Sequence, residues 1–319
     1  MDSIHYSRCV MVPTGSSLAF HLGLTPTEPR LRLELGDFEH KDDRLWLRHA
    51  GFTKHIWARS RGADTRVLAF SRHVGSQPIY VPASSEIKSP ADLIGRRMAM
   101  IRNPTAEFDV DRTVFLKPYF AALDSVGATL ADVTFVDTDA RRPAVFNVPP
   151  QGENFFQKVA GLFLRQLAEG EVDAIATPLP PDTVRAADLR KIYDTRDDPE
   201  PRRRLELRAI VASTALIAEE RPLVRRLLRS IVEAGEWAQR EPGAALALFG
   251  VDLSVKTETL QARGIDPRAL SRLEIDEELI SIASAKQDFL LAAGMLERPI
   301  DIGSWIDPSL LREAEVAGG

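Results

Sequence analysis

Cysteine is almost absent: one thiol, Cys9, stands in 319 residues. One thiol closes no internal disulfide and supplies none of the paired thiolates of a structural zinc site. Disulfide-stapled secreted modules and zinc fingers are therefore excluded. A basic excess is missing too. The chain carries 46 acidic against 41 basic residues, a formal net charge of -5, the wrong balance for a general polyanion binder, so no nucleic-acid partner is expected. No window approaches the roughly 18 uninterrupted apolar residues of a transmembrane helix. The first twenty residues lack the basic and apolar regions of a signal peptide, which leads to the expectation of a cytoplasmic protein with a reduced thiol. The six histidines show no HxxxH or HExxH spacing, and neither GxGxxG nor GxxxxGKT occurs. No metal site and no nucleotide cofactor are expected.

Hydrophobic residues make up 44% of the chain and charged residues 27%, enough for a packed core. The length suits two domains, or one domain in two lobes. Residues 2–8 alternate like a short strand. Pro13, Thr14 and Gly15 break it, and Ser16 or Ser17 is a fair cap for a short helix over LAFHLGL. Leu31, Leu33 and Leu35 alternate as a second strand. Residues 54–61 read as helix, and Val67 to Phe70 and Pro78 to Val81 as buried strands. Ser89-Pro90 opens a one-turn helix that Gly95 ends. A helix over 105–126, a strand over 133–136, a helix over 154–169 and a strand over 172–176 follow. This alternation predicts an α/β protein with mostly parallel sheets. The polar run 194–204 reads as a surface connection, and Arg202, Arg203 and Arg204 as a solvated face. A strand over 205–211 then leads into helices over 220–240, 242–249, 267–293 and 308–315.

Two segments carry a family resemblance: Ser89 to Arg97 (SPADLIGRR) and Gly170 to Ile175 (GEVDAI). In this order and spacing they resemble the type II periplasmic-binding-protein fold. That resemblance implies two α/β lobes with a ligand cleft between them. It also implies a discontinuous first lobe, residues 1–84 and 205–319, and a second lobe over 85–204. Members include sulfonate, nitrate and taurine receptors, and some enzymes. A narrower likeness runs through Tyr6-Ser7-Arg8-Cys9, Arg48-His49-Ala50-Gly51, Gln287 to Leu291, and Trp305. In that order these segments resemble the 2'-hydroxybiphenyl-2-sulfinate desulfinase family, which has Tyr-Ser-x-Cys with a catalytic cysteine, and Arg-Phe-Gly-Gly. The family reaction implied is release of sulfite from an aromatic sulfinate, without metal or organic cofactor. The family also has a histidine ten residues before the arginine. Here Phe38 falls at that position and His40 lies two residues on.

The residues support the same chemistry. Cys9 sits at the carboxyl end of a predicted strand, just before a helix start. Ligands of open α/β sheets bind outside such ends, and a helix N-terminus lowers a thiol pKa. The alternative for Cys9 is a small buried hydrophobe. Arg48 offers a planar fork for a sulfinate or carboxylate, and Gly51 a backbone N–H to the same oxygens. His40 is placed to orient or protonate the thiol or to supply a proton to the ring carbon, with His49 and His55 as competitors. Ser7 and Tyr6 are candidate anion contacts, though strand packing also accounts for them. Thr105, at a predicted strand-to-helix turn, is a candidate ligand contact or an ordinary cap. Two functions follow: a desulfinase-like C–S hydrolase using Cys9, His40 and Arg48, or a receptor for a small organic anion using the same cleft without chemistry. A monomer is expected.

Overall fold

The computed structural model describes residues 2–8, 14–35, 44–141, 155–253, 255–262 and 264–316. Ten strands are present among them: β1 (Ile4–Arg8), β2 (Leu31–Leu35), β3 (Trp46–Gly51), β4 (Thr65–Val74), β5 (Pro78–Pro82), β6 (Arg97–Arg102), β7 (Thr134–Asp139), β8 (Ile175–Ala176), β9 (Leu189–Asp194) and β10 (Leu205–Ser213). The chain divides into two compact units. The first comprises Met1–Val74, Leu205–Gln287 and Glu297–Gly319, and the second Gly75–Arg204 and Asp288–Leu296. The division expected from sequence, after residue 84, falls ten residues late. β5 hydrogen-bonds to β8 and β9, and so belongs to the second unit. Residues 288–296 also go with that unit, where Phe289 packs on Phe120 at 5.0 Å between ring centroids.

The first unit is built on one sheet of order β2-β1-β3-β10-β4. β1 pairs parallel to β2 and β3, while β10 runs antiparallel between β3 and β4. The sheet is therefore mixed rather than mostly parallel. In β3, Leu47, Arg48, His49 and Ala50 are all buried, as expected of a strand covered on both faces. On one face lie α1 (Gly15–His21) and the long helix Thr214–Arg240, which buries Leu223, Val224, Leu227, Leu228 and Ile231 at helical spacing. On the other lies α2 (Phe52–Ser60). Phe52 meets Phe70 edge-on at 5.2 Å and stacks on fully buried Trp305 at 5.4 Å, and the Trp305 indole donates to Thr65 Oγ1 at 3.0 Å.

Close helix packing depends on Gly235, within the Thr214–Arg240 helix. A Cβ there would lie 2.7 Å from the Ser271 carbonyl oxygen and 3.3 Å from its carbon. Both are backbone atoms, so the helix Pro267–Ser271 would have to move away. Alanine normally favours a helix interior by about 1 kcal/mol over glycine, but overpacking costs about 1–3 kcal/mol. Gly235→Ala is expected to be destabilising, measured as a lower urea midpoint. Equal or greater stability would contradict the packing.

Several helix limits move from their expected places. α1 begins at Gly15, before the serines assigned to its cap. The helix expected over 105–126 begins at Val110, where the Asp109 carboxylate accepts from Arg112 N at 2.9 Å. The span 267–293 is two helices, Pro267–Ser271 and Glu277–Ala292. Between them Glu274 bridges β4, its N–H donating to Phe70 O at 2.9 Å and its carbonyl accepting from Phe70 N at 3.0 Å. In the second unit β6 and β7 pair in parallel, and β5 is antiparallel to β8 and β9. The run 194–204 is more than a surface connection. Asp198 is buried and accepts from Tyr193 Oη at 2.6 Å and Arg203 Nε at 2.9 Å. Arg203 also pairs with Asp124, so only part of the arginine run is a solvated face.

Candidate active site at the carboxyl end of the first sheet

Four of the residues picked from the sequence, Tyr6, Ser7, Arg48 and Gly51, lie on the neighbouring strands β1 and β3. β1 and β3 run side by side with Ser7 opposite Arg48. β3 and β10 place Arg48 opposite Val211, His49 opposite Ile210, and Gly51 opposite Arg208. Successive side chains of a strand leave on opposite faces. Ser7 and Arg48 therefore share one face, and Tyr6 and His49 belong to the other. Tyr6 is 4% exposed and part of the core formed with α1, which fits the strand-packing alternative for its ring. Ser7 is fully buried and Arg48 is 7% exposed. On their face Trp46 stacks on His55 of α2 at 6.4 Å between centroids, with the rings 14° from parallel. His55 is thereby tied to packing beneath α2.

Gly51 is the last residue of β3 and the cap of α2. Its missing side chain is used. A Cβ on Gly51 would stand 2.9 Å from Arg208 Nη1, so a larger residue there would make the end of that guanidinium shift. Arg208 carried no motif in the sequence. Strand pairing alone exposes it, since β10 brings its residue 208 level with the end of β3.

His49 occupies the position where the resembled family has phenylalanine. It is fully buried. The Ser16 hydroxyl of α1 lies 2.7 Å from its Nδ1, and the Ser71 hydroxyl of β4 lies 3.4 Å from its Nε2. Burial, and secondarily the charge of Arg208, push its pKa down from the usual 6.5 to about 3. At neutral pH it is an uncharged link between α1 and β4, not an imidazolium poised to act.

Cys9 and His40 lie outside the described residues. In the chain Cys9 directly follows Arg8, the last residue of β1. Thr105 does not sit at a helix N-terminus. It is exposed, and its hydroxyl donates to Asn103 Oδ1 at 2.9 Å, so it fits the ordinary capping alternative of a local turn. Among the described residues no group of three or more His, Cys, Asp or Glu is placed to hold a metal ion. No helix among them is long and apolar enough to cross a membrane.

These features define a mixed α/β protein of the periplasmic-binding-protein-like fold. The aliphatic sulfonate-binding protein SsuA from Escherichia coli shares that fold. It superposes with a TM-score of 0.65 at 16% identity over 96% of this chain and 92% of its own. The desulfurization enzyme DszB superposes at 0.74 with 22% identity over the whole of both chains. Its complex with biphenyl-2-sulfinic acid, formed on a cysteine-to-serine variant, gives 0.70 with 24% identity over 99% of each. In sequence the chain is homologous to 2'-hydroxybiphenyl-2-sulfinate desulfinase. It is 26% identical to the Rhodococcus erythropolis protein over 283 residues, which make up 78% of this chain and 74% of the relative. No family model matches the chain.

Proposed function

We propose that the protein is a desulfinase-like C–S bond hydrolase that releases sulfite from an aromatic sulfinate. The carrying observation is the homology to a desulfinase over 78% of the chain, together with the desulfinase-like segments that meet on β1 and β3. The overall change is Ar–SO2⁻ plus water giving Ar–H and bisulfite. The carbon–sulfur bond breaks, the ring carbon gains a proton, and the sulfur gains the water oxygen. Arg48 and the Gly51 N–H hold the sulfinate oxygens. A guanidinium fork fits two such oxygens, and a backbone N–H aimed at developing charge stabilises the transition state. Cys9 acts in one of two ways: as a thiolate attacking sulfur, or as the acid that protonates the ipso carbon as sulfur dioxide leaves. His40 is the candidate partner of the thiol.

The test is incubation of the purified chain with biphenyl-2-sulfinate and assay of sulfite. Sulfite release well above a Cys9→Ser control is expected. Equal release from both would sink the assignment of the chemistry to Cys9, and no release from the parent chain would sink the activity. The fold shared with SsuA supports a second reading, a receptor for a small organic anion. That reading requires saturable anion binding with no turnover.

A further inference from the structure

We infer that Arg208 is a second anion-binding cation of this site, gripping the charged group of the ligand at the Gly51 end of β3. The inference rests on the reading of the protein as one that takes a small sulfinate-type or sulfonate-type anion. It adds to that reading a residue that no motif assigns.

Arg208 is partly buried, and its Nε has no solvent contact and no hydrogen-bond partner. Among the described residues its guanidinium makes no hydrogen bond and no ion pair. That sets it apart from its neighbours. Arg72, on β4, is paired with Glu274 and Asp276. Arg203 is paired with Asp198 and Asp124. The carboxylate two residues before Arg208, Glu206, is held by the 9%-exposed Lys286 at 2.9 Å, so its charge is already answered. A partly desolvated guanidinium with no counter-charge is costly unless an anion completes it.

The setting is shaped to keep that cation in place. Gly51, Arg208 and Ser71 lie in one row across β3, β10 and β4. The guanidinium lies against Gly51, where a Cβ would stand 2.9 Å from Nη1 and displace it. His49, two residues earlier on the same face, is clamped by Ser16 and Ser71. A neutral, hydrogen-bonded imidazole beside Arg208 adds no competing positive charge. Arg48 leaves β3 by the opposite face, three residues before Gly51, so Arg208 supplies a separate positive charge at the end of the strand. A guanidinium with free N–H groups offers a planar fork to the oxygens of a sulfinate-like or sulfonate-like group.

The test measures binding apart from chemistry. Isothermal titration calorimetry on the full chain uses two probes, biphenyl-2-sulfinate and the unreactive biphenyl-2-sulfonate. The variants are Arg208→Gln, Arg208→Lys and Gly51→Ala. Loss of a charge-assisted contact is expected to weaken both probes roughly 10- to 100-fold in Arg208→Gln. Arg208→Lys is expected to retain part of the affinity, and Gly51→Ala to weaken it by displacing the guanidinium. Urea unfolding checks that Arg208→Gln keeps the parent stability or gains some, because it removes an unanswered charge. Parent-like affinity in Arg208→Gln overturns the inference, as does the absence of any anion binding by the parent chain. Arg208-dependent binding without sulfite release leaves the inference standing and removes the desulfinase reading.

Discussion

Exchange of Cys9 for serine is expected to lower sulfite release from an aryl sulfinate by at least about 100-fold, with the binding of the sulfinate retained. Both roles open to Cys9 depend on a property that a hydroxyl lacks. A thiol of ordinary pKa near 8.5 is partly ionised at neutral pH, and a helix N-terminus or a neighbouring cation lowers that pKa further. As a nucleophile the thiolate attacks sulfur directly, whereas the serine hydroxyl needs a base to ionise it. As an acid, the thiol gives up its proton to the ring carbon far more readily than serine does. A positioned acid or base contributes about 10²–10⁴-fold, which sets the lower limit of the expected loss. The two roles separate under iodoacetamide. A low-pKa nucleophile alkylates fast at pH 6–7 and is protected by bound sulfinate, whereas a thiol acting as an acid remains largely protonated and alkylates slowly. Full sulfite release from Cys9→Ser would remove cysteine from the mechanism altogether.

How much of this was legible in the sequence depends on distance along the chain. β1, β2 and β10 carry their own alternation or apolar runs, and turn residues bound them, so their places are readable locally. Arg48 and Gly51 stand out because a short motif surrounds them. Arg208 does not, because its meaning arises from pairing between β3 and β10, about 160 residues apart in sequence. The same limit explains the shifted boundary between the units. Pro78 to Val81 reads as a strand from either side, and only its partners β8 and β9 assign it to the second unit. It also explains the broken helix over 267–293, since Glu274 is drawn into a bridge with Phe70 on β4. His49 is the most instructive residue. As a sequence feature it is a histidine beside a candidate catalytic arginine, which invites an acid–base role. Alternation along β3 sends it to the other face, into full burial between two serines. The position that the resembled family fills with phenylalanine is thus filled here by a polar core residue.

That burial has a measurable consequence in acid. The neutral imidazole of His49 is stabilised in the folded chain, with its pKa down at about 3, whereas an unfolded chain binds a proton there with a pKa near 6.5. Below pH 6.5 the unfolded state therefore binds more protons than the folded state, and stability falls as pH falls. The contribution is fully present above pH 6.5. It is lost progressively down to about pH 3, at up to about 1.4 kcal/mol per pH unit. Between pH 6.5 and 4.5 this amounts to about 2 kcal/mol, before most carboxylates titrate. In a His49→Asn variant the side-chain amide keeps an oxygen that can accept from Ser16 in place of Nδ1 but carries no titrating group. At pH 8 the variant is expected to be less stable by about 1–3 kcal/mol, from the smaller side chain and the lost contact to Ser71. As pH falls to 4.5 that deficit is expected to shrink by about 2 kcal/mol, because only the parent chain has to keep a basic group neutral at position 49. Urea unfolding of both chains across the pH series reads the difference directly, with the other titrating groups common to both. A deficit that stays constant with pH would mean that His49 titrates alike in the folded and unfolded chains. In that case the Ser16–His49–Ser71 link does not hold a neutral imidazole, and Arg208 has a second positive charge beside it in acid.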